Sequence, residues 1–293
     1  MILKFPSFAK INLFLYITSK REDGYHGLFS LMTPIDLCDD LYLDFDAERT
    51  KVVCTHPRVP EDESNLAHRA ATLFYGALKK GYEKKGLSIE IIKRIPPGGG
   101  LGGGSSNAAT VLTALNDYHH QPFSKSELMK MGLDLGADVP FFMFNGPAIV
   151  RGIGEKLEKP PDLLPYHLVL CDPGVAAETA AVYKRYDFEL TSTQKYNMNA
   201  GLNVLLRGRE FDAGAWMHND LEGPACGLYP EIRETKEEME LLLHTKVRMT
   251  GSGSSLFALF QARREAQKGC EILLAKWGGS KRKIFLSSFG RLG

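Results

Sequence analysis

The chain has 293 residues, 44% hydrophobic and 24% charged, and its 36 lysines and arginines against 35 acidic residues leave a formal charge of +1. That is ordinary globular composition at a length that suggests roughly two domains, with no net field to gather nucleic acid or an anionic membrane. The five cysteines (Cys38, Cys54, Cys171, Cys226, Cys270) are scattered and form no C-x-x-C pair, so reduced thiols fit better than a disulfide framework or a thiolate metal site.

The opening MILKFPSFAKINLFLYITSK is apolar, but it carries Lys4 and Lys10 and lacks both an unbroken apolar run and a small-x-small cleavage site. No stretch reaches the roughly 18 apolar residues a membrane helix needs, so the expectation is a soluble intracellular protein. From Ile11 the apolar residues alternate through Leu13, Leu15 and Ile17, which predicts a half-buried strand with Lys10 and Asn12 on its other face. Asp23-Gly24 marks a turn, and strand-like sequence continues to about Phe45 and again at KVVCT. Helical spacing predicts a helix over 65–80, followed by the alternating strand LSIEIIKRI. A second helix follows the glycines, with Ser105 or Ser106 as its expected N-cap. Ser124 and Glu127 form a capping box for a third, which ends near Gly136. Gly, Lys and Pro accumulate over 152–162, the expected crossover between domains, and a glycine-serine loop recurs at MTGSGSS. The mixture of strand pairs and helices predicts α+β halves.

PPGGGLGGGSSNAA, from Pro96 to Ala109, holds six glycines in seven positions. Each costs about 0.5–1 kcal/mol against alanine, so the segment must do more than turn. Between a strand and a helix N-terminus, such a loop is suited to phosphate. The Walker pattern is absent, since Gly103 is followed by Gly104 rather than by lysine. Gly98, Gly100 and Gly103 satisfy G-x-G-x-x-G only within a glycine excess, and no H-R-D or D-F-G string occurs.

The segment resembles the phosphate-binding motif of the GHMP kinases, a superfamily of small-molecule kinases, and AKINLFL and MTGSGSS agree in order and spacing. Within it, the finer resemblance is to the kinases of 4-diphosphocytidyl-2-C-methyl-D-erythritol. It rests on FAKINLFL (8–15), DGYHGL (23–28), GGGLGGGSSNAA (98–109), GADVPFF (136–142), NDLE (219–222) and TGSGSS (250–255). Glu22 stands where proline is common in that family, and Ser254 where alanine is. The resemblance implies an α+β, two-domain GHMP kinase fold. Residues 1–157 would be an ATP-binding domain like the second domain of ribosomal protein S5, and 158–293 a ferredoxin-like, substrate-binding domain. It implies a cytoplasmic monomer or homodimer using ATP, Mg2+ and a small-molecule acceptor, with no nucleic acid or membrane partner.

Residue by residue, the resemblance implies that Asp138 takes the proton of the acceptor alcohol and that Lys10 holds Asp138 ionised and offsets phosphoryl charge. Taken alone, Asp138 reads as a turn aspartate and Lys10 as part of a solvated strand face. Asn12 is expected to bond the substrate hydroxyl or Asp138. Tyr25 is expected to stack on cytosine and His26 to read its edge. Thr179, Gly251, Ser252 and Gly253 are further candidates for the substrate site, and Tyr183 is either the second wall of the base site or a helix core residue. For ATP the candidates are Asn65, Leu66, Lys93, Pro97, Gly98, Gly99, Gly100, Leu101, Gly102, Gly103, Gly104, Ser105, Ser106 and Asn107. Magnesium follows from the triphosphate chemistry, with no side chain assigned to it.

Overall fold

A computed structural model describes residues 2–79, 86–189 and 213–290. A long antiparallel hairpin, β1 (Ile2–Lys20) and β2 (His26–Ala47), is followed by β3 (Lys51–Cys54), α1 (Leu66–Ala77) and β4 (Gly86–Ile92). Helices α2 (Gly103–Tyr118), α3 (Lys125–Leu135) and α4 (Val139–Phe144) come next, then β5 (Ala148–Gly152) and β6 (Lys156–Glu158). The second half contains β7 (His167–Asp172), α5 (Thr179–Glu189), α6 (Ala213–Trp216), β8 (His218–Asn219) and α7 (Glu222–Leu228). It closes with α8 (Pro230–Leu243), β9 (Val247–Met249), β10 (Leu256–Phe260), α9 (Arg263–Trp277) and β11 (Lys283–Ser288).

One sheet runs β3-β4-β2-β1-β8, with β5 on β2 and β6 on β5; the other runs β11-β7-β10-β9 and is antiparallel throughout. The second order, with α5–α8 and α9 as its crossovers, is the ferredoxin-like arrangement. The fold is the two-part α+β architecture that the sequence predicts.

Strand period and helix period agree at each contact. On β2 and β4, Leu41, Leu43, Phe45 and Leu87, Ile89, Ile91 turn one face toward Ala67, Ala70, Ala71, Phe74 of α1 and Ala108, Val111, Leu112, Leu115 of α2. On β7, Leu168 and Leu170 face Ile11 and Leu13 of β1, which packs the two sheets together, while Val169 and Cys171 face the helices of the second half. A register shift between Asn12 and Phe14 lets Phe14 join the same core as Leu13. β8 lies parallel to β1 at Phe14 and Leu15, so the second half contributes a strand to the first sheet.

Three sequence expectations change. Helix α1 ends at Ala77 rather than at residue 80. Helix α2 begins at Gly103 with Gly102 (φ +70°) as N-cap, so Ser105 and Ser106 lie inside its first turn. The region 152–162 is not simply a linker, because Ile149–Arg151 pair with Lys156–Glu158.

The glycine segment is fastened to the sheet by a buried carboxylate that the sequence reading passed over. Asp39 Oδ1 accepts from the backbone N–H of Arg94 (2.8 Å) and Ile95 (2.9 Å). Its Oδ2 accepts from Lys93 Nζ (2.5 Å) and Asn107 Nδ2 (3.1 Å). β2, the end of β4 and the first turn of α2 thus meet on one side chain. Burial lowers the Lys93 pKa from its ordinary value, and Asp39 opposes that shift. Removing one partner of a buried pair leaves an uncompensated charge and costs about 3–5 kcal/mol. Asp39→Ala should therefore lose stability on that scale, read as a lower urea midpoint; a midpoint unchanged from wild type would contradict this account.

Candidate active site

The two glycine loops touch. Ser255 N–H donates to Gly99 O (3.1 Å), and Thr250 Oγ1 accepts from Asn12 N–H (2.9 Å) on β1. Gly100 has φ +74°, and a Cβ there would lie 2.3 Å from Thr250 O, so the position excludes any side chain on two counts. The glycine excess thus serves the approach of the second loop as well as a ligand. That loop is held in turn by Asn219, whose Nδ2 donates to Met249 O and Gly251 O, both at 2.8 Å. Glu222 Oε2 accepts from Met249 N–H (2.8 Å). Helix α2 has no side-chain cap, so its first-turn N–H groups have no intrahelical acceptor and form a ready anion site.

Lys10 lies where these parts converge. Its side chain is 3% exposed; Nζ donates to Asn12 Oδ1 (2.8 Å) and stands 3.4 Å from Asp138 Oδ2, while Asp138 is 33% exposed. Asp138 occupies the N-cap position of α4 but makes no capping bond, which leaves its carboxylate available to the cavity. The expected bond from Asn12 to Asp138 is not made. Asn12 Oδ1 holds Lys10 and Nδ2 donates to Ser30 Oγ (2.8 Å), so its amide orients the lysine.

Two cavities meet here. The smaller, about 490 Å³, is lined by Asn65, Leu66, Lys93, Pro97, Gly98–Gly104, Ser105 and Asn107. The larger, about 750 Å³, is lined by Lys10, Asn12, Tyr25, His26, Asp138, Thr179, Tyr183 and Gly251–Gly253, with Leu15, Leu28 and Met32 as apolar wall. Gly98, Gly100, Gly102, Ser105 and Thr179 border both. Ser106 is the exception among the expected residues. It lines neither cavity, and its buried hydroxyl accepts from Ser7 Oγ (2.8 Å), because one helical step past Ser105 turns it into the domain. Some of the others have polar groups already engaged. Asn65 caps α1 through Ala67 N–H (2.9 Å) and donates to Pro60 O (2.6 Å), and Lys93 and Asn107 are bound to Asp39.

The Asp23-Gly24 turn presents two further residues of the larger cavity's wall, Tyr25, 61% exposed, and His26, 8% exposed. Tyr183 of α5 stacks on the His26 ring at 5.0 Å between centroids. Burial, with the charge of Asp138 adding to it, pushes the Tyr183 phenol well above its ordinary pKa. Thr179 Oγ1 and Ser252 Oγ are 2.8 Å apart, which ties α5 to the second loop. The sequence reading missed Asp39 and Asp187, the latter of which bonds His26, and it gave Thr250 no role beyond its place in TGSGSS. The only signal for Asp39 was an acidic pair inside the apolar run LCDDLYL. Asp187 has none.

Comparison with known proteins identifies the family. Residues 65–146 match the GHMP kinases N terminal domain, and residues 205–279 match GHMP kinases C terminal. The chain is 39% identical over 283 residues to the 4-diphosphocytidyl-2-C-methyl-D-erythritol kinase of Desulfotalea psychrophila, covering 94% of this chain and 92% of that one. It is 40% identical over 264 residues to the Chlorobium limicola protein of the same name, covering 89% of each. A crystal structure of 4-(cytidine 5'-diphospho)-2C-methyl-D-erythritol kinase superposes with a TM-score of 0.76 at 36% identity, over 98% of this chain and all of that one. Homoserine kinase from Cytophaga hutchinsonii shares the fold, with a TM-score of 0.72 at 19% identity over 99% of this chain and 95% of that one. The chain belongs to the GHMP kinases and, within them, to the 4-diphosphocytidyl-2-C-methyl-D-erythritol kinase family.

Proposed function

We propose that the chain transfers the terminal phosphoryl group of ATP to the 2-hydroxyl of 4-diphosphocytidyl-2-C-methyl-D-erythritol, a step of the non-mevalonate route to isoprenoid precursors. The observation that carries the reading is the Lys10–Asp138 pair, which lies on the acceptor side of the wall that the two cavities share. ATP occupies the smaller cavity with its phosphates against the first turn of α2. The acceptor occupies the larger one, its base at the Tyr25, His26 and Tyr183 end and its tetrol at Asp138.

As the acceptor oxygen bonds to the γ-phosphorus, Asp138 takes its proton, the bond from the γ-phosphorus to the bridging oxygen breaks, and ADP leaves. Lys10, fixed by Asn12, keeps a positive charge beside both the carboxylate and the transferring group, where low water content makes it effective. Gly251, whose Cβ would stand 3.4 Å from Lys10 Nζ, leaves room for the acceptor at that point. Among the described residues no group of three or more His, Cys, Asp or Glu side chains forms a metal cage. Nucleotide-bound magnesium needs few protein ligands; the Ser105 hydroxyl, which borders both cavities, is an oxygen that would hold it, while Asp138 stays free to take the acceptor's proton. Bound there, magnesium would offset the negative charge of the triphosphate.

We assign ATP binding to residues 1–157, whereas acceptor binding draws on both halves, with Lys10, Asn12, Tyr25, His26 and Asp138 from 1–157 and Thr179, Tyr183 and Gly251–Gly253 from 158–293. Among the described residues no helix is long and apolar enough to cross a membrane, which supports action in the cytoplasm.

The direct test is ADP release by the purified chain with 4-diphosphocytidyl-2-C-methyl-D-erythritol, homoserine or mevalonate as acceptor. Stimulation by the first is expected, and stimulation by homoserine or mevalonate alone would sink the reading. Asp138→Asn should lower kcat by about 10²-fold or more while the KM for ATP changes little. Lys10→Met should lower kcat on the same scale, since it removes the cation that faces the transferring group. Turnover near wild type in either variant contradicts the assigned chemistry.

A further inference from the structure

His26 has only one ring nitrogen left for a ligand. Its Nε2 lies 2.7 Å from Asp187 Oδ1, and the other carboxylate oxygen, Oδ2, accepts from Lys20 Nζ at 2.6 Å. Asp187 lies on α5, one helical turn beyond Tyr183, whose ring stacks on His26, and it too lines the larger cavity. His26 Nδ1 makes no hydrogen bond among the described residues. A carboxylate oxygen can only accept, so Nε2 carries the hydrogen, and in the neutral ring Nδ1 is then an acceptor.

We infer that Asp187 is a positioning residue that fixes His26 in its Nε2–H tautomer and thereby selects cytosine over uracil. The inference rests on the reading above, in which this end of the cavity takes the base. Cytosine has one donor on its pairing edge, the exocyclic amine, and uracil carries a carbonyl oxygen in its place. An acceptor at Nδ1 meets that amine and repels that oxygen. Lys20 makes the arrangement directional. Because an ammonium only donates, it requires an acceptor atom on its side of residue 187. In Asp187→Asn the amide oxygen must therefore face Lys20, and the amide nitrogen faces Nε2. The nitrogen donates to Nε2, which moves the ring hydrogen to Nδ1 and reverses what the ligand meets.

The test uses the full-length protein, with cytidine diphosphate and uridine diphosphate as competitive inhibitors against the acceptor, and ¹⁵N NMR of labelled histidine. Wild type should show His26 in the Nε2–H form and prefer the cytidine compound. Asp187→Asn should shift His26 to Nδ1–H and lower that preference by about tenfold, the scale of one hydrogen bond made or left unmade, without changing the KM for ATP. Lys20→Met combined with Asp187→Asn frees the amide to turn over and should restore both the tautomer and the preference. An Nδ1–H signal in wild type, or an unchanged preference in Asp187→Asn, overturns the proposal and leaves the kinase reading standing. Equal inhibition of wild type by the two compounds overturns both.

Discussion

A lysine ammonium almost wholly removed from water is the constraint from which the site is built. Lys10 is 3% exposed, and a buried cation is tolerated only where oxygens are placed around it. Asn12 supplies one at 2.8 Å and Asp138 another at 3.4 Å. Both glycine loops close over the same side chain: a Cβ at Gly102 would stand 3.2 Å from Lys10 Cγ, and one at Gly251 3.4 Å from Nζ. The site is therefore compact because its cation is buried. Asn12 and Asp138 are its side-chain partners among the described residues, and all three line the larger cavity. A group that carries negative charge completes its surroundings.

The two halves of the chain are joined at that point rather than hinged far from it. The first half contributes Lys10, Asn12 and the first loop, and the second contributes Thr250 and Gly251. The contact from Ser255 to Gly99 and the one from Thr250 to Asn12 cross between them. β8 extends the join by adding His218 and Asn219 to the edge of the first sheet, and from there Asn219 holds the second loop by two carbonyls. The apolar contact of Ile11 and Leu13 with Leu168 and Leu170 sets the spacing of the halves. The polar contacts then set which backbone groups face the cavity.

Much of this was legible in the sequence, and the part that was not has a consistent cause. Period-two alternation placed Lys10 and Asn12 on one face, and the structure puts their side chains in contact. The Asp23-Gly24 turn, the Ser124–Glu127 capping box and the end of α3 at Gly136 follow from short-range chemistry, and they stand as expected. The α2 boundary did not, because Gly102 in a left-handed conformation replaced the serine cap that local preference favours. Asp39 and Asp187 escaped, and the role of Thr250 with them, because their partners are distant along the chain: Asp39 meets Asn107, Asp187 meets His26, and Thr250 meets Asn12. No periodicity encodes such pairs. Ser106 and Asn12 show the converse limit. A motif identifies which residues cluster, but one helical step or one neighbouring acceptor decides whether a side chain meets the ligand or supports those that do.

The central claim is that Lys10 and Asp138 act on the two sides of one transfer. It is tested most directly by a crystal structure with a non-hydrolysable ATP analogue and 4-diphosphocytidyl-2-C-methyl-D-erythritol bound together. The account predicts the γ-phosphate beside Lys10 Nζ, the acceptor 2-hydroxyl within hydrogen-bond distance of the Asp138 carboxylate, and the cytosine against Tyr25. A ternary complex with the acceptor hydroxyl turned away from Asp138, or with the γ-phosphate out of reach of Lys10, would contradict it.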